Sequence, residues 1–231
     1  MFILIKSVII LIVIKVGIFY FHIGLPKTGS TFLQKTLEKD SRINFSRSNI
    51  HKFHVDDKLE FISNKVNVDS NETYLLRGES AKKFNMMLTL SKIKNKFKKT
   101  KIIITIRRPE DALLSMFKYR IRNGKYFKSF DDWFIKDEAQ DFFSLLHFAS
   151  LHQSLKAFFK NEDIHYLFYE DLEHGLMLKE FYDIINLNLP ENINNIKINK
   201  SSKETELYKS NLINKYVKNN FLRKKLVKYV P

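Results

Sequence analysis

The chain has 231 residues, of which 44% are hydrophobic and 14% aromatic, enough to build one sizeable core. Its formal net charge of +15 favours anionic partners: a nucleotide, an acidic glycan, a membrane surface or, less favoured, a nucleic acid. The absence of cysteine excludes disulfides and thiolate metal sites, and the seven histidines show no convincing ligand spacing, so we expect no metal.

Residues 1–15 form an apolar N-terminal extension. Lys6 and Lys15 leave only the interval 7–14 uncharged, well short of the roughly 20 residues that a membrane-spanning helix needs. No small-residue cleavage site of a signal peptide follows it. We therefore expect a cytoplasmic protein, with membrane attachment through this segment as the alternative.

The apolar run at 18–23 predicts a strand, and the pattern at 30–39 predicts a helix. The loop between them contains Gly24, Leu25, Pro26, Lys27, Thr28, Gly29, Ser30 and Thr31. Gly24 and Gly29 permit a tight turn, and the amides and dipole of the helix start favour an anion. The spacing is close to that of a nucleotide-binding P-loop, but Ser30 stands where that motif has lysine, and the lysine lies at Lys27 instead.

Residues 41–72 are polar and irregular, and predict a surface loop or a lid over a substrate that carries His51 and His54. The apolar run at 73–76 then predicts a strand that ends in a polar turn with Glu79.

A second strand-to-helix junction lies further along the chain. Residues 102–106 predict a buried strand that leaves Arg107 at its carboxyl end, and 110–122 predict a helix. On this helix Leu113 belongs to the apolar face with Leu114 beside it, whereas Ser115 belongs to the polar side.

Helical patterns at 141–160 and 173–186 flank a strand-like run at 164–169. Strands that alternate with helices predict an α/β fold, a parallel sheet flanked by helices, over a single domain at 16–231. Ligands of such sheets bind at the carboxyl ends of the strands, where Lys27, Glu79 and Arg107 fall. A basic helical tail at about 204–229 carries apolar residues at helical spacing, which predict core packing or contact with a membrane surface.

The loop at 26–31 resembles the 5′-phosphosulfate loop of sulfotransferases that use 3′-phosphoadenosine 5′-phosphosulfate (PAPS). Arg107, followed by a proline turn and by Ser115 eight positions later, resembles the 3′-phosphate-binding segment of the same family. The resemblance implies a P-loop-like fold and PAPS as co-substrate. The segment at 75–80 is similar to strand ends of bacterial and heparan-type members, whose glutamate is the general base.

The resemblance also implies a role for each candidate residue. The amides of residues 27–31 and the hydroxyls of Ser30 and Thr31 would cradle the 5′-phosphosulfate, and Lys27 would neutralise the charge on the leaving oxygen. Arg107 and Ser115 would hold the 3′-phosphate. Glu79 would take the proton of the acceptor, and His51 or His54 is the alternative base.

The sequence thus predicts a PAPS-dependent sulfotransferase that acts on a hydroxyl or amine of a glycan, lipid or small molecule. The runner-up is a P-loop kinase or nucleotidase, in which Glu170 and Asp171 would bind magnesium at the end of the 164–169 strand. A third alternative is a non-enzymatic basic protein that binds a membrane surface or a nucleic acid.

Overall fold

The computed structural model describes residues 17–47, 61–72, 86–97, 99–172, 174–191 and 204–217. Its described strands are β1 (Phe19–Gly24), β2 (Ile43–Ser46), β3 (Val66–Ser70), β4 (Thr100–Ile106) and β5 (Ile164–Phe168). They form one sheet in the order β2-β3-β1-β4-β5, and every neighbouring pair is parallel.

Helices cover both faces of this sheet. The described α-helices are α1 (Ser30–Leu37), α2 (Met86–Lys96), α3 (Pro109–Arg122), α4 (Phe130–Phe134), α5 (Asp137–Leu145), α6 (Phe148–Lys156), α7 (Leu176–Ile184) and α8 (Glu204–Tyr216). The predicted fold class, a P-loop-like parallel sheet flanked by helices, is confirmed.

The buried core lies on both faces of the sheet because side chains alternate along each strand. In β1, Phe19 and Phe21 pack into one hydrophobic cluster, and Tyr20 packs into the other. Ile102 and Ile103 of β4 divide between the same two clusters. Since both faces are covered, these strands read as continuous apolar runs in the sequence.

The prediction of irregular structure over 41–72 was wrong, because β2 and β3 lie within it. A hydrophobic pattern does not predict β3, because its residues Asn67, Asp69 and Ser70 are polar and yet buried. Asn67 donates a hydrogen bond of 2.9 Å to the carbonyl of Ile62, and Ser46 bonds to Asp69 at 2.5 Å. The buried polar side chains of β3 thus find hydrogen-bond partners in the folded chain.

Two helical predictions also need correction. The pattern at 141–160 forms two helices, α5 and α6, with a break at Leu146 and His147. Both halves are amphipathic, and their periodicity did not locate the break. On α3, Leu113 is buried as predicted, but Leu114 is 43% exposed.

Helix α8 packs on α3 through polar side chains. Asn214 donates to the carbonyls of Ile121 at 2.7 Å and Lys125 at 2.8 Å, and therefore caps the C-terminal end of α3. Tyr216 at the end of α8 is 71% exposed, so this position of the tail does not pack into the core. Residues 218–231 lie outside the described residues.

Across the described ranges, the helices are all too short or too polar to cross a bilayer.

Candidate active site

The loop after β1 turns sharply and returns the chain to the edge of the sheet. Lys27 has a φ of 71° and Gly29 a φ of 81°, so two residues of the loop adopt the left-handed conformation. Thr28 is fully buried, and its hydroxyl donates a 2.6 Å hydrogen bond to the carbonyl of Leu25. This contact assigns the Thr28 side chain to closing the loop.

Gly24 lets the end of β1 and the start of α1 approach each other closely. A Cβ at this position would lie 2.0 Å from Ser30 Oγ and 2.8 Å from Ser30 Cβ. The first amides of α1 have no partner within the helix, and the positive end of its dipole lies beside the carboxyl edge of the sheet. Free backbone amides at a helix start are suited to an anion, which is the ligand that the loop sequence predicts.

The Ser30 hydroxyl is buried at this helix start. Ser30 is 2% exposed, and its Oγ makes no hydrogen bond of ordinary geometry within the described part of the chain. Burial raises the pKa of Glu72, which follows β3, and the nearby Ser30 hydroxyl offsets a small part of that rise. A buried hydroxyl with spare hydrogen-bonding capacity suits a phosphate or sulfate oxygen.

A buried polar network supports the strands beneath the loop. The ring of His22 in β1 bonds to Ser70 Oγ of β3 through Nδ1 at 2.7 Å, and to Thr105 Oγ1 of β4 through Nε2. Gln34 of α1 donates to Ser70 Oγ at 3.1 Å. Burial lowers the pKa of His22 to about 3, so the ring is neutral near pH 7. The network therefore ties α1 and the three central strands together without a charge.

The Lys27 side chain reaches α3. Its Nζ lies 3.5 Å from the centroid of the Tyr119 ring, within the range of a cation–π contact. The pKa of Lys27 is lowered, chiefly by burial and further by the positive charges of Arg122 and Arg120. The negative charge of Glu72 opposes this shift. The ammonium therefore lies over an aromatic face, and the charged groups that act on it include the carboxyl group of Glu72.

Arg107 leaves β4 and crosses to the same loop. Its Nη1 donates a 3.1 Å hydrogen bond to the carbonyl of Lys27, and its guanidinium lies 4.1 Å from the centroid of the Tyr169 ring. Its Nε is buried and has no hydrogen-bond partner among the described residues. The structure thus brings the two predicted cations, Lys27 and Arg107, to one edge of the sheet.

Ser115 is half-buried on α3. It lies four residues before Tyr119, and residues at this spacing share a helix face. Because Tyr119 contacts Lys27, Ser115 lies on the side of α3 that faces the loop. The sequence analysis did not identify Tyr119 or Glu72 as site residues. Tyr119 could have been found from its position four residues after Ser115 on the same helix, but no sequence pattern pointed to Glu72.

Glu170, a candidate magnesium ligand, accepts a 2.9 Å hydrogen bond from the backbone amide of Arg108. Its carboxylate therefore satisfies the start of α3, where a negative charge also complements the helix dipole. Among the described residues, His, Asp and Glu side chains do not gather in groups of three that could hold a metal ion.

The remaining candidates, Glu79, His51 and His54, lie outside the described residues, as do the N-terminal extension at 1–15 and the strand predicted at 73–76.

Comparison with known families gives one match over most of the chain. The family model described as Sulfotransferase domain matches residues 20–229. No curated protein matches the chain.

Three solved structures share the fold at low identity. A sulfotransferase from Alicyclobacillus acidocaldarius is 14% identical with a TM-score of 0.58, over 92% of this chain and 96% of that one. A sulfotransferase domain from the curacin biosynthetic pathway is 14% identical with a TM-score of 0.54, over 93% and 92%. A sulfotransferase domain from the olefin synthase of Synechococcus PCC 7002 is 11% identical with a TM-score of 0.55, over 92% and 95%.

Proposed function

The chain belongs to the sulfotransferase family, and we propose that it moves a sulfuryl group from PAPS to a hydroxyl or amine of a glycan, lipid or small molecule. One observation carries the choice of donor. The loop after β1 and Arg107 after β4 bring the free backbone amides at the start of α1 and two cations to one edge of the sheet. A nucleotide with separate phosphate groups at its 5′ and 3′ positions has the matching charges.

The loop would bind the 5′-phosphosulfate. The backbone amides of residues 27–31, with the hydroxyls of Ser30 and Thr31, would donate hydrogen bonds to its oxygens. Pro26 and Gly29 would shape the turn, and Thr28 would contribute its amide, because its hydroxyl already donates to Leu25. Arg107 and Ser115 would hold the 3′-phosphate, since a planar guanidinium suits two phosphate oxygens at once.

The reaction would be an in-line displacement at sulfur. The acceptor oxygen or nitrogen forms the new bond to sulfur while the bond from sulfur to the bridging phosphate oxygen breaks. Lys27 would neutralise the charge that develops on that oxygen, and Glu79 would take the acceptor proton. The products are the sulfated acceptor and 3′-phosphoadenosine 5′-phosphate (PAP). A Glu79→Gln variant should lose turnover and keep its affinity for PAP, since only basicity is removed.

Ligand-induced stabilisation tests the proposal without knowledge of the acceptor. PAP should raise the melting temperature in the absence of magnesium, because binding to the folded state stabilises it by mass action. ATP with magnesium should have a much smaller effect. Equal or greater stabilisation by magnesium-ATP, with none by PAP, would contradict the proposed donor and favour the kinase alternative.

A further inference from the structure

We propose that Tyr119 and Glu72 form a seat for the Lys27 ammonium and act as positioning residues for the proposed sulfuryl transfer. Tyr119 presents its ring from α3, and Glu72 follows the end of β3. This inference rests on the proposed function for its effect on turnover, but the seat itself is a feature of the fold.

The contact with Tyr119 is close. Lys27 Nζ lies 3.5 Å from the ring centroid, well inside the roughly 6 Å over which a cation is attracted to an aromatic face. Tyr119 is 42% exposed, so its ring is not part of the core, and the Lys27 side chain covers one face of it. A tyrosine in this place contributes to holding the ammonium more than to folding the helix.

The position of Glu72 follows from strand register. β1 and β3 are parallel with His22 opposite Ser70, and the amide of Asn71 donates a 3.0 Å hydrogen bond to the carbonyl of His22. Glu72, the next residue, therefore lies at the edge where the loop after β1 begins. Its carboxyl and the ammonium of Lys27 influence each other's pKa, which agrees with this placement.

The surrounding charges explain why a seat is needed. Arg120 and Arg122 of α3 both disfavour the charged form of Lys27, and Arg107 is bonded to the Lys27 carbonyl. Glu72 is the group that counteracts them. A flexible lysine among arginines would otherwise extend toward solvent, away from the leaving oxygen. The aromatic face and the carboxyl together offset this repulsion and fix the direction of the side chain.

Ser115 and Tyr119 lie one turn apart on α3. The helix that would contact the 3′-phosphate through Ser115 therefore also orients the lysine that would act at the 5′ end. The seat thus couples the two ends of the proposed donor site through one rigid element.

Nuclear magnetic resonance of lysine-labelled protein tests the seat without substrate. The Cε protons of Lys27, assigned with Lys27→Arg, should be shifted upfield by the ring current of Tyr119. Tyr119→Leu should abolish this shift, and Tyr119→Phe, which keeps the ring, should preserve it. An unshifted Lys27 signal in the wild type would overturn the seat.

A pH titration of the same signal tests Glu72. Because the carboxylate of Glu72 raises the pKa of Lys27, Glu72→Gln should move the Lys27 titration to lower pH. An unchanged titration, or a shift to higher pH, would remove Glu72 from the seat.

The rate of PAPS hydrolysis to water tests the functional part. Tyr119→Leu should slow it by roughly 2- to 30-fold, the range expected for one cation–π contact, and Tyr119→Phe should stay within about twofold. In a Lys27→Met background, Tyr119→Leu should cause no further loss, which a merely structural role would not predict.

Equal losses from Tyr119→Leu in both backgrounds, or no loss in the wild-type background, would overturn the positioning role. If the wild type neither binds PAP nor hydrolyses PAPS, the proposed function fails, while the resonance measurements still decide whether the seat exists.

Discussion

The loop after β1 and the segment around α3 bring polar groups to the same edge of the sheet by different means. The loop depends on backbone conformation, namely its left-handed residues and a glycine in close contact with Ser30, and a neutral network of buried side chains supports it from beneath. The α3 side is built from side chains, chiefly Arg107, Ser115 and Tyr119, that project from a strand end and a helix face.

Because of this difference, we expect changes in the two regions to have different effects on stability and on ligand binding. Changes in the loop should lower both the stability of the protein and the affinity of the proposed anion site, because the same backbone contacts would provide both. Changes in the side chains near α3 should alter ligand affinity while the fold stays intact. The four predictions below test this distinction, in order of decreasing expected effect.

Arg107→Ala should weaken PAP binding by roughly 10- to 100-fold, the scale of one charge-assisted contact, without a large change in melting temperature. The affinity for adenosine 5′-phosphate should fall less. It should still fall somewhat, because Arg107 also donates a hydrogen bond to the Lys27 carbonyl in the loop. Calorimetric titration of both nucleotides measures the two losses. Arg108→Ala, which removes an exposed neighbouring guanidinium, is the matched control. Equal losses for both nucleotides would show that Arg107 does not read the 3′-phosphate.

Gly24→Ala should destabilise the protein by about 1–3 kcal/mol, because the new Cβ would overlap Ser30. PAP affinity should fall with it. Chemical denaturation of a double-mutant cycle with Ser30→Gly separates the causes, since removing the Ser30 side chain relieves the overlap. Additive losses in that cycle would mean that the close approach of β1 and α1 is not the reason for the glycine.

Acid should destabilise the loop region through His22. The folded-state pKa is about 3, below the ordinary value of 6.5, so the unfolded chain binds the extra proton between these two values. This contribution to stability is complete above pH 6.5 and is lost as pH falls toward 3, at about 1.4 kcal/mol per pH unit.

His22→Gln should be less stable at neutral pH but should lack this part of the acid loss. Denaturation curves from pH 7 to 4 compare the slopes of the two proteins. Parallel slopes would show that His22 does not titrate between the folded and unfolded states.

Ser115→Ala should have the smallest effect, a roughly fivefold loss of PAP affinity that corresponds to one neutral hydrogen bond. The melting temperature should be unchanged, since Ser115 is half-buried and outside the core. If Ser115→Ala lowered the stability of the protein and left PAP affinity unchanged, Ser115 would have a structural role and would not bind the nucleotide.

Sequence could predict the parts of the molecule that local chemistry determines. The sequence alone shows the apolar runs that form β1, β4 and β5, and it shows the turn residues that follow β1. β3 was missed because its buried Asn67 and Asp69 accept hydrogen bonds from Asn44 and Ser46 of the neighbouring strand β2.

The same limit applies to the candidate site. Lys27 and Arg107 could be named as cations, but the hydrogen bond between them joins residues 80 positions apart. The contact of Lys27 with Tyr119 likewise exists only once α3 packs beside the loop. Spacing identifies the groups that a segment offers, and the fold determines which of them meet.

The comparison of the affinities of PAP, adenosine 5′-phosphate and adenosine 3′-phosphate in one magnesium-free buffer tests the two-part site most directly. If the backbone-built loop and the side chains near α3 bind separate phosphates, PAP should bind at least 10-fold more tightly than either monophosphate, since each additional charge-assisted contact contributes more than a neutral one. PAP that binds no more tightly than adenosine 5′-phosphate would contradict the account, because Arg107 and Ser115 would then contribute nothing to donor recognition.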